Sequence, residues 1–151
     1  MLKVSRETPR RDDVVTLIRQ SDALMQSLYP AESNHLVDID SLAAPQVHFF
    51  VARENGRVLG CGAFVLGADG RAEMKRVFVD PAARGKGVAR VLMEALEREA
   101  AQRGVTLMQI ETGIKQPEAI ALYRKFGYAE RGPFGTYKPD PLSLFMEKRL
   151  A

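Results

Sequence analysis

The chain has 151 residues, of which 46% are hydrophobic and 27% are charged, with a formal net charge of +3. This balance predicts one globular domain over residues 1–151, and the only basic cluster, Arg84, Lys86 and Arg90, suits a small polyanion rather than nucleic acid. No apolar run approaches the ~20 residues that span a bilayer, and the single Cys61 excludes an internal disulfide, so we expect no membrane partner and a cytoplasmic location.

The first half of the chain predicts a strand, a helix and then three strands joined by turns. In chain order these are a strand at residues 2–7, a helix at 12–28, a loop with a short helical piece at 29–45, and strands at 46–53, 57–67 and 71–79. Asn55-Gly56 and Asp69-Gly70 favour the positive φ angles of two-residue hairpins, so the three strands should form an antiparallel meander. Gly60 and Gly62 indicate a bulge or close packing.

The second half places helices between further strands. It comprises a helix from residue 88 to a stop near Gly104, a strand at 105–111, a helix at 117–126, and strands at 128–132 and 142–150. Pro117 suits the first helical position, and Gly127 suits the left-handed position after the helix. Because a meander leads through a helix to a strand that can pair in parallel, we predict a mixed α/β sheet with helices on its faces.

The segment RGKGVA, residues 84–89, joins a strand to a helix and has the features of an anion-binding loop. A helix N-terminus has unpaired N–H groups, and glycines allow a phosphate to approach the backbone. A Walker loop would need Ser or Thr after the lysine, but Gly87 follows Lys86. A dinucleotide-binding loop would need a third glycine where Arg90 stands, and a parallel βαβ unit before it. Both of these interpretations are therefore disfavoured.

Two motifs resemble the GNAT superfamily of N-acetyltransferases. The first is Arg/Gln-x-x-Gly-x-Gly/Ala opening a helix, matched by Arg84, Gly87 and Ala89; the alternative is an ordinary glycine-rich turn. The second is EAIALYRKFGY, similar to a later family helix with a Leu-Tyr pair and a Lys-x-Gly-aromatic end; the alternative is a plain core helix. The element order also matches, so the resemblance covers nearly the whole chain. It implies a mixed, mostly antiparallel sheet of about seven strands flanked by about four helices.

The resemblance implies acetyl-CoA as the co-substrate and no metal. In the family, backbone amides of the glycine loop hold the pyrophosphate, and the preceding strand pairs with the amide-bearing arm. The matching positions are Val77, Phe78, Val79, Arg84, Gly85, Lys86, Gly87, Val88 and Ala89. The family often has Asn where this chain has Gln116, which is a further candidate contact. His35, His48 and Cys61 lack the close ligand pairs of a zinc site.

The family chemistry is direct acetyl transfer from the thioester to an amine, without a covalent enzyme intermediate. A carboxylate, acting directly or through water, would remove the amine proton; Glu73 and Glu111 are the candidates, and solvated strand-end charges are the alternative. Tyr123 occupies the family's general-acid position and would protonate the departing thiolate. A strand-edge N–H near Phe78 would polarise the thioester oxygen.

The expected acceptor is the primary amine of a small molecule or amino acid. In GNAT folds the segment after the first helix covers the acceptor site, and a late loop could close its other side. The candidate contacts are Tyr29, Glu32, Ser33, Asn34, His35 and Tyr137. Two alternatives stay open: acetylation of a protein N-terminus or lysine, and a non-catalytic acyl-CoA sensor. Assembly as a homodimer is also left open.

Overall fold

The computed structural model describes residues 1–31 and 38–150, which form seven strands, four α-helices and one 3-10 turn. The strands are β1 (Leu2–Arg6), β2 (Val47–Glu54), β3 (Arg57–Leu66), β4 (Arg71–Val79), β5 (Leu107–Gly113), β6 (Ala129–Arg131) and β7 (Ser143–Arg149). The helices are α1 (Asp12–Leu28), α2 (Ile39–Leu42), α3 (Val88–Gln102) and α4 (Pro117–Lys125), and the 3-10 turn is Pro81–Ala83. None of the helices in these ranges is long and apolar enough to cross a membrane.

All seven strands of the described ranges belong to one sheet, in the order β1-β2-β3-β4-β5-β7-β6. The central neighbours β4 and β5 are parallel, and the other neighbouring pairs are antiparallel. The chain passes from β4 through α3 to β5, because a parallel connection needs a crossover. The predicted mixed, mostly antiparallel sheet flanked by helices is therefore confirmed.

Helices cover both faces of the sheet. On one face, side chains of β4, β5 and β7 such as Met74, Ile110 and Met146 pack with α3 and α4. On the opposite face, side chains of β2 and β3 such as Phe49 and Cys61 pack with α1 and α2. We refer to the second of these as the α1 face, and side chains alternate between the two faces along each strand.

Two glycines of β3 allow the sheet to lie close to α3. A Cβ atom at Gly60 would lie 3.0 Å from Leu92 Cδ1 and 3.0 Å from the carbonyl oxygen of Phe78. A Cβ atom at Gly62 would lie 2.9 Å from Leu96 Cδ1. These distances are shorter than ordinary van der Waals contacts, so the close packing predicted for this strand is confirmed.

The predicted bulge is also present, and it lies in β4 opposite Gly62. Cys61 pairs with Phe78 and Ala63 pairs with Lys75, so Arg76 and Val77 together face one residue of β3. Arg76 has a φ of 59°, in the left-handed region, where a residue other than glycine costs about 1–3 kcal/mol. Such a bulge bends its strand and increases the local twist.

Beyond the start of this bulge, β4 and β5 separate. Their parallel pairing runs from Arg71–Leu107 to Met74–Ile110 and stops there, although β4 continues to Val79 and β5 to Gly113. Each strand stays paired on its other side, β4 with β3 and β5 with β7. A gap therefore opens inside the sheet.

Two predicted details of the strands are wrong. Asp69 and Gly70 have the expected positive φ angles of 57° and 73°, but they close a longer loop, in which the Gly67 N–H donates to the Arg71 carbonyl at 2.9 Å. The strand predicted at 105–111 is β5, Leu107–Gly113, because the Val105 N–H still bonds to the Ala100 carbonyl and completes the end of α3. Glu111 therefore lies inside the strand.

Gly60→Val is expected to lower the free energy of unfolding by about 1–3 kcal/mol, because overpacking a filled site forces displacements. The Phe78 carbonyl oxygen that the new side chain meets belongs to the backbone and cannot rotate away. Gly132→Val is the matched control, since a Cβ atom there meets nothing within 4 Å. Urea unfolding measures both variants; equal destabilisation of the two would refute the close approach of α3 to β3.

Candidate active site

The gap between β4 and β5 opens into a cleft with an empty volume of about 820 Å³, including its open mouth. Its walls are formed by β4, β5, the C-terminal half of α1, α4 with its N-cap, and the loop before β7. The polar and charged side chains that line it include Tyr29, Glu73, Lys75, Arg76, Glu111, Gln116, Tyr123 and Tyr137.

Three charged residues of β4 lie on the α1 face. Met74 packs on the opposite face under α3, so alternation along the strand turns Glu73 and Lys75 toward α1. The bulge then breaks the alternation and places Arg76 on the α1 face as well, where its Nη2 lies 2.6 Å from Asp22 Oδ1 of α1. One irregularity in β4 thus brings adjacent cations to the same side of the cleft.

Glu73, Lys75 and Tyr137 form a hydrogen-bonded group at the wall of the cleft. The Tyr137 hydroxyl donates to Glu73 Oε2 at 2.6 Å and accepts from Lys75 Nζ at 2.9 Å, while Lys75 Nζ lies 3.2 Å from the same carboxylate oxygen. Burial, followed by the hydrogen bond to Glu73, raises the pKa of Tyr137 above its ordinary value. Tyr137 therefore stays protonated and fixes the Glu73 carboxylate.

Glu111 lies just past the last β4–β5 pair, at the point where the gap begins. Its Oε2 accepts a hydrogen bond from the Ser143 hydroxyl at 2.8 Å, across the β5–β7 pair. Its negative charge contributes to raising the pKa of three tyrosines, Tyr29, Tyr123 and Tyr137. The Glu111 carboxylate therefore acts electrostatically on tyrosines from three different elements around the cleft.

Tyr123 is supplied by α4 and has only 6% of its surface exposed. Burial, and secondly the charge of Glu111, raise the pKa of Tyr123 to about 12. Its ring packs edge-on against Tyr128, with the centroids 6.1 Å apart. The side chain thus combines a packed ring with a phenol that lines the cleft and keeps its proton at neutral pH.

Tyr29 closes the end of the cleft between α1 and α4. Its hydroxyl accepts a hydrogen bond from the Lys115 N–H at 3.0 Å and lies 3.4 Å from Gln116 Oε1, to which it donates. A Cβ atom at Gly113 would overlap the Tyr29 hydroxyl and ring, so the glycine at the end of β5 makes room for it. Gln116 is the N-cap of α4, and the tyrosine holds the amide in place.

The glycine loop forms the N-terminus of α3, where no side chain caps the helix. Gly85 and Gly87 have φ angles of 84° and 74°, and a Cβ atom at Gly85 would meet nothing within 4 Å. Arg84 and Lys86 are exposed beside them, each within 4.0 Å of a carboxylate oxygen, of Glu118 and Glu54 respectively. The first N–H groups of α3 have no acceptor within the helix, and such groups bind anions.

The structure thus divides the predicted site residues into groups. The cleft brings together Tyr29, Glu73, Val77, Phe78, Glu111, Gln116, Tyr123 and Tyr137. The residues Val79, Arg84, Gly85, Lys86, Gly87, Val88 and Ala89 do not line the cleft and belong to the end of β4, the glycine loop and the start of α3. Glu32, Ser33, Asn34 and His35 lie outside the described residues.

Among the residues not predicted from the sequence are Lys75 and Arg76, which line the cleft, and Ser143, which contacts Glu111 beside it. In a regular strand Lys75 and Arg76 would point to opposite faces, one of them into the core under α3. Two adjacent cations in a half-buried strand were therefore a signal that the alternation breaks there. No comparable signal marked Ser143, because its contact with Glu111 depends on the register of β5 and β7.

Comparisons with known proteins bear on this architecture. The chain is 53% identical over 148 residues to an IAA acetyltransferase of Azospirillum brasilense, covering 97% of each chain. It is 30% identical over 117 residues to an aminoalkylphosphonate N-acetyltransferase of Salmonella typhimurium, covering 72% of this chain and 76% of the relative. A solved structure of a Klebsiella pneumoniae protein described as an acyl-CoA N-acyltransferase superposes on this chain with a TM-score of 0.85 and is 38% identical to it. The superposition includes 100% of this chain and 99% of the Klebsiella chain.

Residues 15–128 match the family model described as Acetyltransferase (GNAT) family. This match covers most of the first helix, the meander, the glycine loop and the Tyr123 helix. The loop with Tyr137, which also lines the cleft, lies beyond the match. The predicted resemblance and the predicted acyltransferase class of enzyme are both confirmed, and the chain belongs to the GNAT family of acetyltransferases.

Proposed function

We propose that this protein transfers the acetyl group of acetyl-CoA directly to the primary amine of a small molecule. The observation that carries the proposal is the gap between β4 and β5, which places Glu73, Glu111 and Tyr123 around one cleft beside a free strand edge. The family membership supports acyl transfer, and the Klebsiella neighbour supports an acyl-CoA donor.

The glycine loop fits the diphosphate of coenzyme A. The uncapped α3 N-terminus supplies N–H donors and a positive helix-dipole end, and both glycines have the φ values that open such a loop. Arg84, Lys86 and the amides of residues 85–89 would hold the phosphates. When bound, the co-substrate supplies an activated acetyl thioester.

The edge of β4 beyond Met74 is suited to the rest of the co-substrate. From Lys75 to Val79 this strand runs alongside the gap rather than alongside β5, and buried backbone groups need partners. Val77 and Val79 would pair with the amide-bearing arm, and the Phe78 N–H would polarise the thioester oxygen. Rigidly held backbone donors are effective where negative charge develops.

We assign the role of base to Glu111. A primary amine with a pKa near ~10.4 is almost fully protonated at neutral pH and must lose a proton before it attacks. Glu111 stands where the gap begins, and its charge acts on three tyrosines around the cleft. Glu73 Oε2 accepts from Tyr137 and pairs with the Lys75 ammonium at the wall. Glu111 would take the proton directly or through water, and Glu73 would add negative charge that attracts the ammonium form.

Tyr123 is assigned to the departing sulfur. With its pKa raised to about 12, the phenol is a weaker acid than a thiol of pKa ~8.5, so complete transfer of its proton to a free thiolate is unfavourable. Tyr123 would therefore act chiefly by donating a hydrogen bond to the sulfur while the carbon–sulfur bond breaks. This assignment refines the general-acid role expected from the family pattern.

A small acceptor suits the cleft. Tyr29 and Tyr137 both line it, and each is held by hydrogen bonds to neighbouring elements. The Salmonella relative is named for aminoalkylphosphonates, which are small amines, and the Azospirillum relative is named for IAA. Glu32, Ser33, Asn34 and His35 remain predicted acceptor contacts.

Gly87→Val is expected to weaken the binding of coenzyme A by at least about tenfold, which corresponds to 1.4 kcal/mol. A β-branched residue is strained at a φ of 74°, and its side chain would crowd the amides at the start of α3. Isothermal titration calorimetry measures the affinity, with Gly132→Val as the matched control. An unchanged dissociation constant in a folded Gly87→Val variant would remove the glycine loop from the binding site.

Tyr123→Phe is expected to reduce kcat by about 10²–10³-fold, the usual effect of removing a donor that serves the transition state, while the affinity for acetyl-CoA stays the same. Tyr128→Phe is the matched control, because the Tyr128 hydroxyl bonds to Glu97 at 2.8 Å, away from the cleft. Release of free coenzyme A thiol with a panel of amines gives the rates. Equal rates for the Tyr123 variant and the parent would exclude Tyr123 from the chemistry.

The value of kcat/KM for the amine is expected to rise or level off as the pH increases, and it should not fall between about pH 8 and 10. The pKa of Tyr123 is raised to about 12, so the phenol stays almost entirely protonated up to pH 10, while deprotonation of the amine favours higher pH. The measurement is kcat/KM for the amine against pH. A fall within this range would indicate that a donor with a pKa below 10 is required instead.

A further inference from the structure

Arg76 combines a left-handed backbone, a buried side chain and a position on the wall of the cleft. It sits at the bulge of β4 with a φ of 59°, a conformation that glycine adopts most readily. Its side chain is only 6% exposed. It also lines the cleft, together with Ser21 and Met25 of α1. A residue kept in a strained backbone position indicates that its side chain is used.

The guanidinium of Arg76 has more donors than acceptors around it. Nε and Nη1 are buried and have no hydrogen-bond partner in the described part of the chain, whereas buried polar groups are nearly always bonded. Its counter-ion is Asp22, whose Oδ1 lies 2.6 Å from Nη2 without the direction of a hydrogen bond. Asp22 is 34% exposed, so it can turn toward solvent.

The neighbouring cation of the cleft is engaged differently. Lys75 Nζ contacts both the Tyr137 hydroxyl and the Glu73 carboxylate. Arg76 therefore differs from Lys75 in having two buried nitrogens without a hydrogen-bond partner in the described part of the chain. The charges of the cleft are also separated: Arg76 lies against α1, and Glu111 lies at the beginning of the gap.

We propose that the acceptor amine also carries an acidic oxygen group, such as a carboxylate, and that Arg76 binds this group. The incoming anion replaces Asp22, accepts hydrogen bonds from the guanidinium and leaves the amine facing Glu111. Arginine is suited to this task because its planar fork matches such anions with two parallel bonds. The inference rests on the proposed function and narrows its substrate class to amino acids and related amino-substituted acids.

The test compares matched amines that differ by the acidic group. Suitable pairs are β-alanine with propylamine, and phenylalanine with 2-phenylethylamine, assayed by thiol release with saturating acetyl-CoA. The parent protein is expected to favour the acid of each pair in kcat/KM. Arg76→Met should lower kcat/KM for the acids by about 10–100-fold, the value of hydrogen bonds to a charged group, through KM rather than kcat.

Two controls separate recognition from a structural role. Arg76→Met should change kcat/KM for the neutral amines and the affinity for acetyl-CoA by less than about threefold, which is the scatter of a non-contact substitution. Asp22→Ala should not lower kcat/KM for the acids. If Arg76 only anchored α1 through Asp22, both variants would slow acids and neutral amines alike, and that result would overturn the proposal.

Calorimetry can measure the binding of each acid to the protein loaded with coenzyme A, and this binding requires no acetyl transfer. It therefore distinguishes a failure of the anion site from a failure of the proposed acetyl transfer. Binding that Arg76→Met abolishes, with no turnover of any amine, would support the anion site and refute acetyl transfer. Turnover of neutral amines as fast as of their acids would refute the anion site and keep acetyl transfer. If Arg76→Met does not fold, the parent protein alone tests the anion site. In that case kcat/KM is compared between the acid and the neutral amine of each pair.

Discussion

The parallel pairing between β4 and β5 ends at Met74–Ile110 while both strands continue, and this separation determines what the sheet can bind. β4 is held in place by β3, and β5 by β7, so the gap does not weaken the outer parts of the sheet. The bulge at Arg76 provides the bend that turns β4 away. The close approach of α3 at Gly60 and Gly62 packs the helix against β3, the strand that pairs with β4 along the bulge.

The same separation explains the electrostatics of the cleft. Charged side chains that point into a gap are partly desolvated, so each needs a partner nearby. Glu73 has Lys75 and Tyr137, and Glu111 has Ser143. Burial beside Glu111 keeps Tyr123 protonated. Arg76 differs from these groups because donors of its guanidinium remain unbonded.

Much of this arrangement could be predicted from the sequence, because local signals encode it. The bounds of α1 and β4, the left-handed conformation of Gly127 after α4 and the positive φ angles of Asn55-Gly56 follow from periodicity and turn chemistry. The position of Arg76 could not be predicted in the same way. Its face depends on a bulge, and a bulge depends on how two strands align rather than on the residues at one position.

Contacts between segments that are distant in the chain could not be predicted from the sequence either. Tyr137 was predicted as a cover for the acceptor, but its bond to Glu73 joins residues far apart in the chain. The start of β5 was misplaced because the hydrogen bonds that complete the end of α3 extend to Val105.

A crystal structure of the protein with coenzyme A tests the central claim most directly. The account predicts the diphosphate on the amides of residues 85–89 and the thiol inside the gap between β4 and β5, within hydrogen-bond distance of the Tyr123 hydroxyl. A thiol bound outside this gap would contradict the account. So would hydrogen bonds between β4 and β5 that continue beyond Met74–Ile110 and leave no gap for the thiol.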